Sequence, residues 1–111
     1  MPNEANWSLM MGAAESGNIE AMRWLKEQGA SINDRGKWSG STPIHYAALH
    51  GHLEAVQWLK SQGVDINVKN NENQTPLHYV RGSLAGRYAG RGNVNWLQET
   101  ERWMIRNGAR E

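Results

Sequence analysis

The chain contains no cysteine and no phenylalanine. Without cysteine there is no disulfide framework, thiolate zinc site, iron–sulfur cluster or cysteine nucleophile, and a reducing compartment fits that absence. No apolar run approaches the ~18 residues that a membrane-spanning helix requires. Met1 to Gly12 places no basic residue ahead of its short apolar run, so it does not read as a secretory signal. A cytoplasmic location is expected, with export left open. A dominant charge is also missing: 12 basic residues face 11 acidic ones, for a net +1. The whole-chain balance therefore implies no strongly charged partner.

What is present is 111 residues, the size of one domain, so 1–111 is read as a single domain. At 39% hydrophobic and 21% charged, the composition argues against wholesale disorder. Tryptophan is over-represented, with six residues. Charge is unevenly placed. Residues 1–80 carry six basic and eight acidic side chains, net −2, while 81–111 carry six arginines and three glutamates, net +3.

Self-similarity organises the chain. Thr42-Pro43-Ile44-His45 returns as Thr75-Pro76-Leu77-His78, 33 residues later. Gly17-Asn18-Ile19-Glu20-Ala21-Met22-Arg23-Trp24-Leu25-Lys26 returns as Gly51-His52-Leu53-Glu54-Ala55-Val56-Gln57-Trp58-Leu59-Lys60, 34 residues later. Arg102 to Ala109 matches Gln57 to Val64 at a spacing of 45. Three units follow, about 8–41, 42–74 and 75–111, the last with an insertion near 81–92.

The middle unit is readable residue by residue. Thr42 is a helix N-cap, and Pro43 suits the first helical turn, where its missing N–H had no partner anyway. Ile44, Ala47 and Ala48 form an apolar stripe at helical spacing. The alanines let a neighbouring helix approach closely. Gly51 accepts the left-handed conformation that ends a helix. A second helix follows, with Leu53, Val56 and Leu59 on one face and Gly63 as its stop. Val64 to Gln74 reads as a turn-rich connection. A unit this short cannot bury its apolar face alone, but stacking on copies of itself can.

These residues closely resemble the ankyrin repeat family. The match rests on Thr42-Pro43-Ile44-His45-Tyr46-Ala47-Ala48, Gly51-His52-Leu53-Glu54, Gly63-Val64-Asp65-Ile66-Asn67 and Thr75-Pro76-Leu77-His78. The resemblance implies an all-α ankyrin solenoid of about three helix-turn-helix repeats, with hairpin-like loops and divergent capping repeats at both ends. It also implies that His45 and His78 are structural, bonding the threonine of their own motif and nearby backbone. Ser8 stands in for the first unit's capping threonine. In the third unit Val80-Arg81 replaces the alanine pair. Arg81 is too large and charged for a tight helix contact, so this helix is expected to end early or turn aside. Gly82, Gly86, Gly90 and Gly92 mark 82–92 as a loop. Asn93 then caps a longer helix to about Asn107, with Val94, Leu97, Met104 and Ile105 available for burial.

Little in the chain suggests catalysis. There is no Gly-x-Ser-x-Gly elbow, and no Gly-Lys-Ser/Thr follows the glycines at 82–92 to make a phosphate loop. His50 and His52 lack the further ligands a zinc site needs. The expectation is no enzyme, no metal and no cofactor. Trp24, Trp58 and Trp103 share one place in successive second helices and read as a column covering the seams. Trp7 and Trp96 read as covers for exposed core. Trp38 stands apart, in the polar loop Gly36-Lys37-Trp38-Ser39-Gly40, as a candidate contact or a residue folded back on its own unit.

The resemblance implies a non-catalytic module that binds a partner protein through loop tips and the first-helix concave face. Carried over position by position, the contact residues are Lys37, Trp38, Ser39 and Ser41, then Leu49 and His50, then Lys69, Asn71, Glu72 and Gln74. Leu49 is apolar at a position normally open to solvent. A second reading is nucleic-acid or anionic-surface binding through 81–110, using Arg81, Arg87, Arg91, Arg102, Arg106 and Arg110 with Tyr88 stacking on a base. A third is self-association through exposed tryptophans or an uncapped end, although a monomer is expected.

Overall fold

In the computed structural model, the structure describes residues 8–88 and 92–111. Six helices and no strand appear among them: α1 (Leu9–Ser16), α2 (Ile19–Glu27), α3 (Pro43–Leu49), α4 (Leu53–Ser61), α5 (Pro76–Leu84) and α6 (Val94–Arg106). They form three antiparallel pairs stacked side by side. One layer runs α1, α3, α5 and the other α2, α4, α6.

Local chemistry sets the helix starts. Ser8 Oγ accepts from Met11 N–H at 3.1 Å, and Asn18 Oδ1 from Ala21 N–H at 3.0 Å. Asn93 Oδ1 takes two amides, Asn95 at 2.8 Å and Trp96 at 3.2 Å. Pro43 and Pro76 occupy first turns. Gly51 ends the α3 segment at φ +73°, and a Cβ there would stand 2.9 Å from Leu97 N. Glycine is thus required twice over, by the left-handed backbone and by the close approach of α6.

Helices of 7 to 9 residues are marginal alone in water, so their stability comes from stacking. The core runs through the whole stack. Met10, Met22, Ile44, Val56, Leu59, Val80 and Met104 are fully buried, with Ala14, Ala47 and Ala48 between the first-layer helices. Each such large side chain contributes roughly 1.5–3 kcal/mol by leaving water.

The third unit departs from expectation. α5 does not end at Arg81 but runs on to Leu84, so 82–84 are helical and the loop starts later. Arg81 is tolerated because its guanidinium leaves the stack. It reaches Glu101 Oε2 at 3.1 Å and Glu111 Oε2 at 2.7 Å. α6 has 13 residues against 9 in α2 and α4, as expected. Its buried face is Leu97, Thr100 and Met104, while Val94 and Ile105 lie exposed, a correction to the expected set. Thr100 is accommodated because its hydroxyl donates to Trp96 O at 2.8 Å.

The tryptophan column holds only in part. Trp58 and Trp103 are half-buried against the core, but Trp24 is 58% exposed. Trp96 is 53% exposed, its ring 6.4 Å from that of His52. Trp7 lies outside the described residues. No described helix is long and apolar enough to cross a membrane.

Candidate functional site

The two connections, 28–42 and 62–75, lie side by side and are tied together. Arg35 Nη1 donates to Gly40 O and, across to the next connection, to Lys69 O, both at 2.9 Å. Asn71 N–H donates to Ser39 O at 2.8 Å, and Asn71 Nδ2 donates to Trp38 O at 3.0 Å. Each loop is also closed on itself. Gly36 N–H bonds Ser41 O at 3.0 Å, and Asn70 N–H bonds Gln74 O at 3.0 Å.

Asn70 holds the second tip. It is buried, and its Oδ1 accepts from the amides of Glu72 at 3.0 Å and Gln74 at 2.9 Å. Its Nδ2 reaches Ser41 Oγ at 3.2 Å, Gln74 Oε1 at 2.9 Å and Tyr79 OH at 3.0 Å. A short polar side chain that bonds nearby backbone is the standard means of fixing a turn. The two tips are therefore one pinned ledge rather than two independent loops.

The expected contact residues divide sharply on this ledge. Lys37, Trp38, Lys69, Asn71 and Glu72 are exposed, and Trp38 shows 65% of its surface to water. Ser39, Gln74 and His50 are half-buried. Two expectations are corrected. Ser41 is fully buried and hydrogen-bonds Tyr79 OH, so it supports the ledge from beneath. Leu49 is 6% exposed, not open to solvent, and its carbonyl takes the Ser83 hydroxyl at 2.7 Å. Gly92 abuts His50 O, so Ser83 of α5 and Gly92 both meet the end of α3, at Leu49 O and His50 O. Tyr88 lies over Gly82, where a Cβ would come within 2.5 Å of the ring.

Arg35, Asn70 and Tyr79 position the ledge, and none was singled out as a site residue. Asn70 carried a signal as one of several turn-forming asparagines. Nothing local marks Arg35, whose partner carbonyl lies 34 residues on.

The histidines also separate. His45 is fully buried. Its Nδ1 accepts from Thr42 N–H and stands 3.0 Å from Thr42 Oγ1, while Nε2 is 2.8 Å from Gln74 O. The neutral tautomer with hydrogen on Nε2 satisfies all three contacts. Burial, with a smaller push from Arg35, lowers its pKa to about 4, against the opposing bond to Gln74. His78 does not repeat this arrangement, a further correction. It is half-buried, with Nδ1 3.2 Å from Glu111 Oε1, and Thr75 Oγ1 donates to Arg110 O at 2.6 Å instead. His52 Nε2 donates to Glu15 O at 2.8 Å, and His50 Nε2 stands 3.4 Å from Glu15 Oε2.

The arginine-rich segment is not a uniform cationic surface. Hydrogen bonds to Glu111 and Glu101 raise the pKa of Arg81, and the same contact with Arg81 lowers that of Glu111. Tyr88 is half-buried, its ring 5.9 Å from that of Tyr79. Arg87, Arg102, Arg106 and Arg110 are exposed, and Arg91 lies outside the described residues.

A family model described as ankyrin repeats (3 copies) matches residues 9–81, more than half of the chain. No curated protein matches it.

Proposed function

The chain belongs to the ankyrin repeat family, whose members are generally protein–protein interaction modules, and we propose that this one is a non-catalytic adaptor holding a partner protein on its ledge of hairpin tips. The observation that carries this reading is Trp38, 65% exposed on a loop pinned by Arg35 and Asn71. A large aromatic held in place loses little freedom on binding, and such residues dominate interface energetics. Lys37, Lys69, Asn71 and Glu72 surround it with polar groups that set orientation, while Ser39, Gln74 and His50 extend the surface toward the first helices. Ser41 and Leu49 act beneath it and touch no partner.

The test is affinity capture from lysate of the source cells, read by mass spectrometry, with and without nuclease. Wild type is compared with the Trp38→Ala, His50→Ala chain. A protein held only by wild type and indifferent to nuclease supports the ledge. Its affinity, measured with both purified components, is expected to fall at least tenfold in the variant. Retention of that partner by the variant, with an unchanged circular dichroism spectrum, refutes the proposal. Capture abolished by nuclease and weakening steeply with salt moves function to 81–110. The engagement of Arg81 and Tyr88 within the chain argues against that alternative.

A further inference from the structure

We propose that the face which α1 and α2 turn away from α3 and α4 docks a second copy of this chain across a two-fold axis. The face is an apolar groove of 630 Å³ floored by Gly12, Ala13, Ala21 and Leu25, with Leu9 and Trp24 standing beside it. Leu9 is 77% and Trp24 58% exposed. Scattered apolar residues on a surface need no explanation, but a contiguous groove of this kind marks an interaction surface.

The internal repeat shows what this surface is built for. Moving 34 residues along the chain turns Leu9, Ala13, Ala21, Trp24 and Leu25 into Pro43, Ala47, Ala55, Trp58 and Leu59. In the middle unit Pro43, Ala47, Ala55 and Leu59 are buried and Trp58 is half-buried, at the seam where α1 and α2 stack on α3 and α4. Trp58 shares a cleft with Arg23, Lys26 and Glu27 of α2. The Trp24 face therefore continues an interface already present twice within the chain, and among the described residues nothing lies on it.

The opposite end selects the symmetry. Arg81 holds the register position of Ala14 and Ala48, both fully buried against the next unit. Around it stand Glu101, Glu111 and His78. Stacking a second copy there would bury this charged cluster, which costs far more than it returns. Head-to-tail growth is thus blocked, and like faces must meet like. A two-fold contact requires one patch to be its own complement. This face supplies both parts, the Leu9 and Trp24 projections and the small-residue groove between them. Along α2, Glu20, Arg23, Lys26 and Glu27 mix both signs, so no uniform field opposes the approach.

A specific contact of this kind buries at least ~1,200 Å² in total. The proposed dimer differs from the monomer expected from the sequence.

The test is sedimentation of the full chain from 5 µM to 1 mM beside Leu9→Asp and Trp24→Asp. A monomer–dimer equilibrium in wild type, weakened at least tenfold in both variants at unchanged circular dichroism, supports the proposal. Both side chains are exposed, so the substitutions spare the core. A wild type that stays monomeric to 1 mM overturns it. A chain lacking residues 1–7 then shows whether that segment is the occupant, which is the case if its removal creates dimers. Species growing steadily beyond dimer also overturn it, since they require head-to-tail contacts.

Discussion

Lowering the pH from 7 to 5 should unload about 2 kcal/mol of stability through a single imidazole, that of His45. The ring is fully buried, and its Nδ1 faces the Thr42 N–H while its Nε2–H serves Gln74 O. A second proton would sit on Nδ1, directly opposite a donor. Burial chiefly, and the Arg35 charge secondarily, take its pKa from 6.5 to about 4. The sign follows from linkage. Between these values the unfolded chain binds a proton that the folded chain refuses, so acid favours unfolding. The stabilisation is complete above pH 6.5 and is lost as pH falls toward 4. For one group with these two values, the loss between pH 7 and 5 is about 2 kcal/mol. Urea unfolding at pH 7, 6 and 5 measures it, with His45→Gln as the control for the other three histidines. Wild type should lose about 2 kcal/mol more than the variant over this interval. The variant starts lower, because Thr42 N–H and Gln74 O lose their partner at roughly 1–3 kcal/mol each. Nitrogen NMR of the imidazole is the direct check. A His45 ring that titrates near 6.5 in the folded chain refutes the reasoning.

Two further substitutions test the packing. Leu49→Ala should cost about 2–4 kcal/mol in urea unfolding, as for a buried leucine, whereas a solvent-facing contact residue would lose less than about 0.5 kcal/mol. Gly51→Ala should cost about 1–3 kcal/mol, because φ is +73° and the new methyl meets Leu97 N at 2.9 Å. Gly63→Ala is its comparison: φ is +95° but nothing lies within 4 Å, so it should lose clearly less. Equal losses at the two glycines would mean that backbone conformation, not the approach of α6, sets the cost.

The features legible in the sequence are those decided within a few residues. Ser8, Asn18, Thr75 and Asn93 cap where their side chains can reach the next amides, and Gly51 turns where the chain must turn. The illegible features depend on what arrives from far away. Leu49 looked open because its unit alone leaves it so, but it is 6% exposed and the Ser83 hydroxyl of α5 bonds its carbonyl. Thr100 is buried with Leu97 and Met104 because the three share one helical face, which its polar side chain does not signal. His45 and His78 have the same local motif, yet only His45 has a following connection, through Gln74, to receive its Nε2–H. Of the expected contact set, Lys37, Trp38, Asn71 and Glu72 lie in the open at the tips. The tie from Arg35 to Lys69 O, 34 residues on, could not be read from its neighbours in the sequence.

A stack of near-identical units has no built-in end, so its ends must be written into particular residues. The first-layer register reads Ala14, Ala48, Arg81, and the second-layer register reads Trp24, Trp58, Trp103. The alanines permit a following unit, and Arg81 refuses one by carrying charge to the place where a helix would have to lie. The tryptophans invite a preceding unit: Trp58 and Trp103 have theirs, and Trp24 presents the same surface uncovered among the described residues. Polarity therefore comes from the one substitution in the first-layer register, Arg81, not from a different fold at either end. The ledge stands apart from both ends, because it is made by the connections. Arg35 joins the first connection to the second, and Tyr79 of α5 bonds Ser41 and Asn70 beneath them, so the ledge draws on all three units and on neither outer face of the stack. A partner on Trp38 and a second copy on Trp24 can then bind the same chain at once. Trp38→Ala should leave dimerisation unchanged, and Trp24→Asp should leave the partner bound. Loss of both activities in either variant would mean that the two surfaces are one.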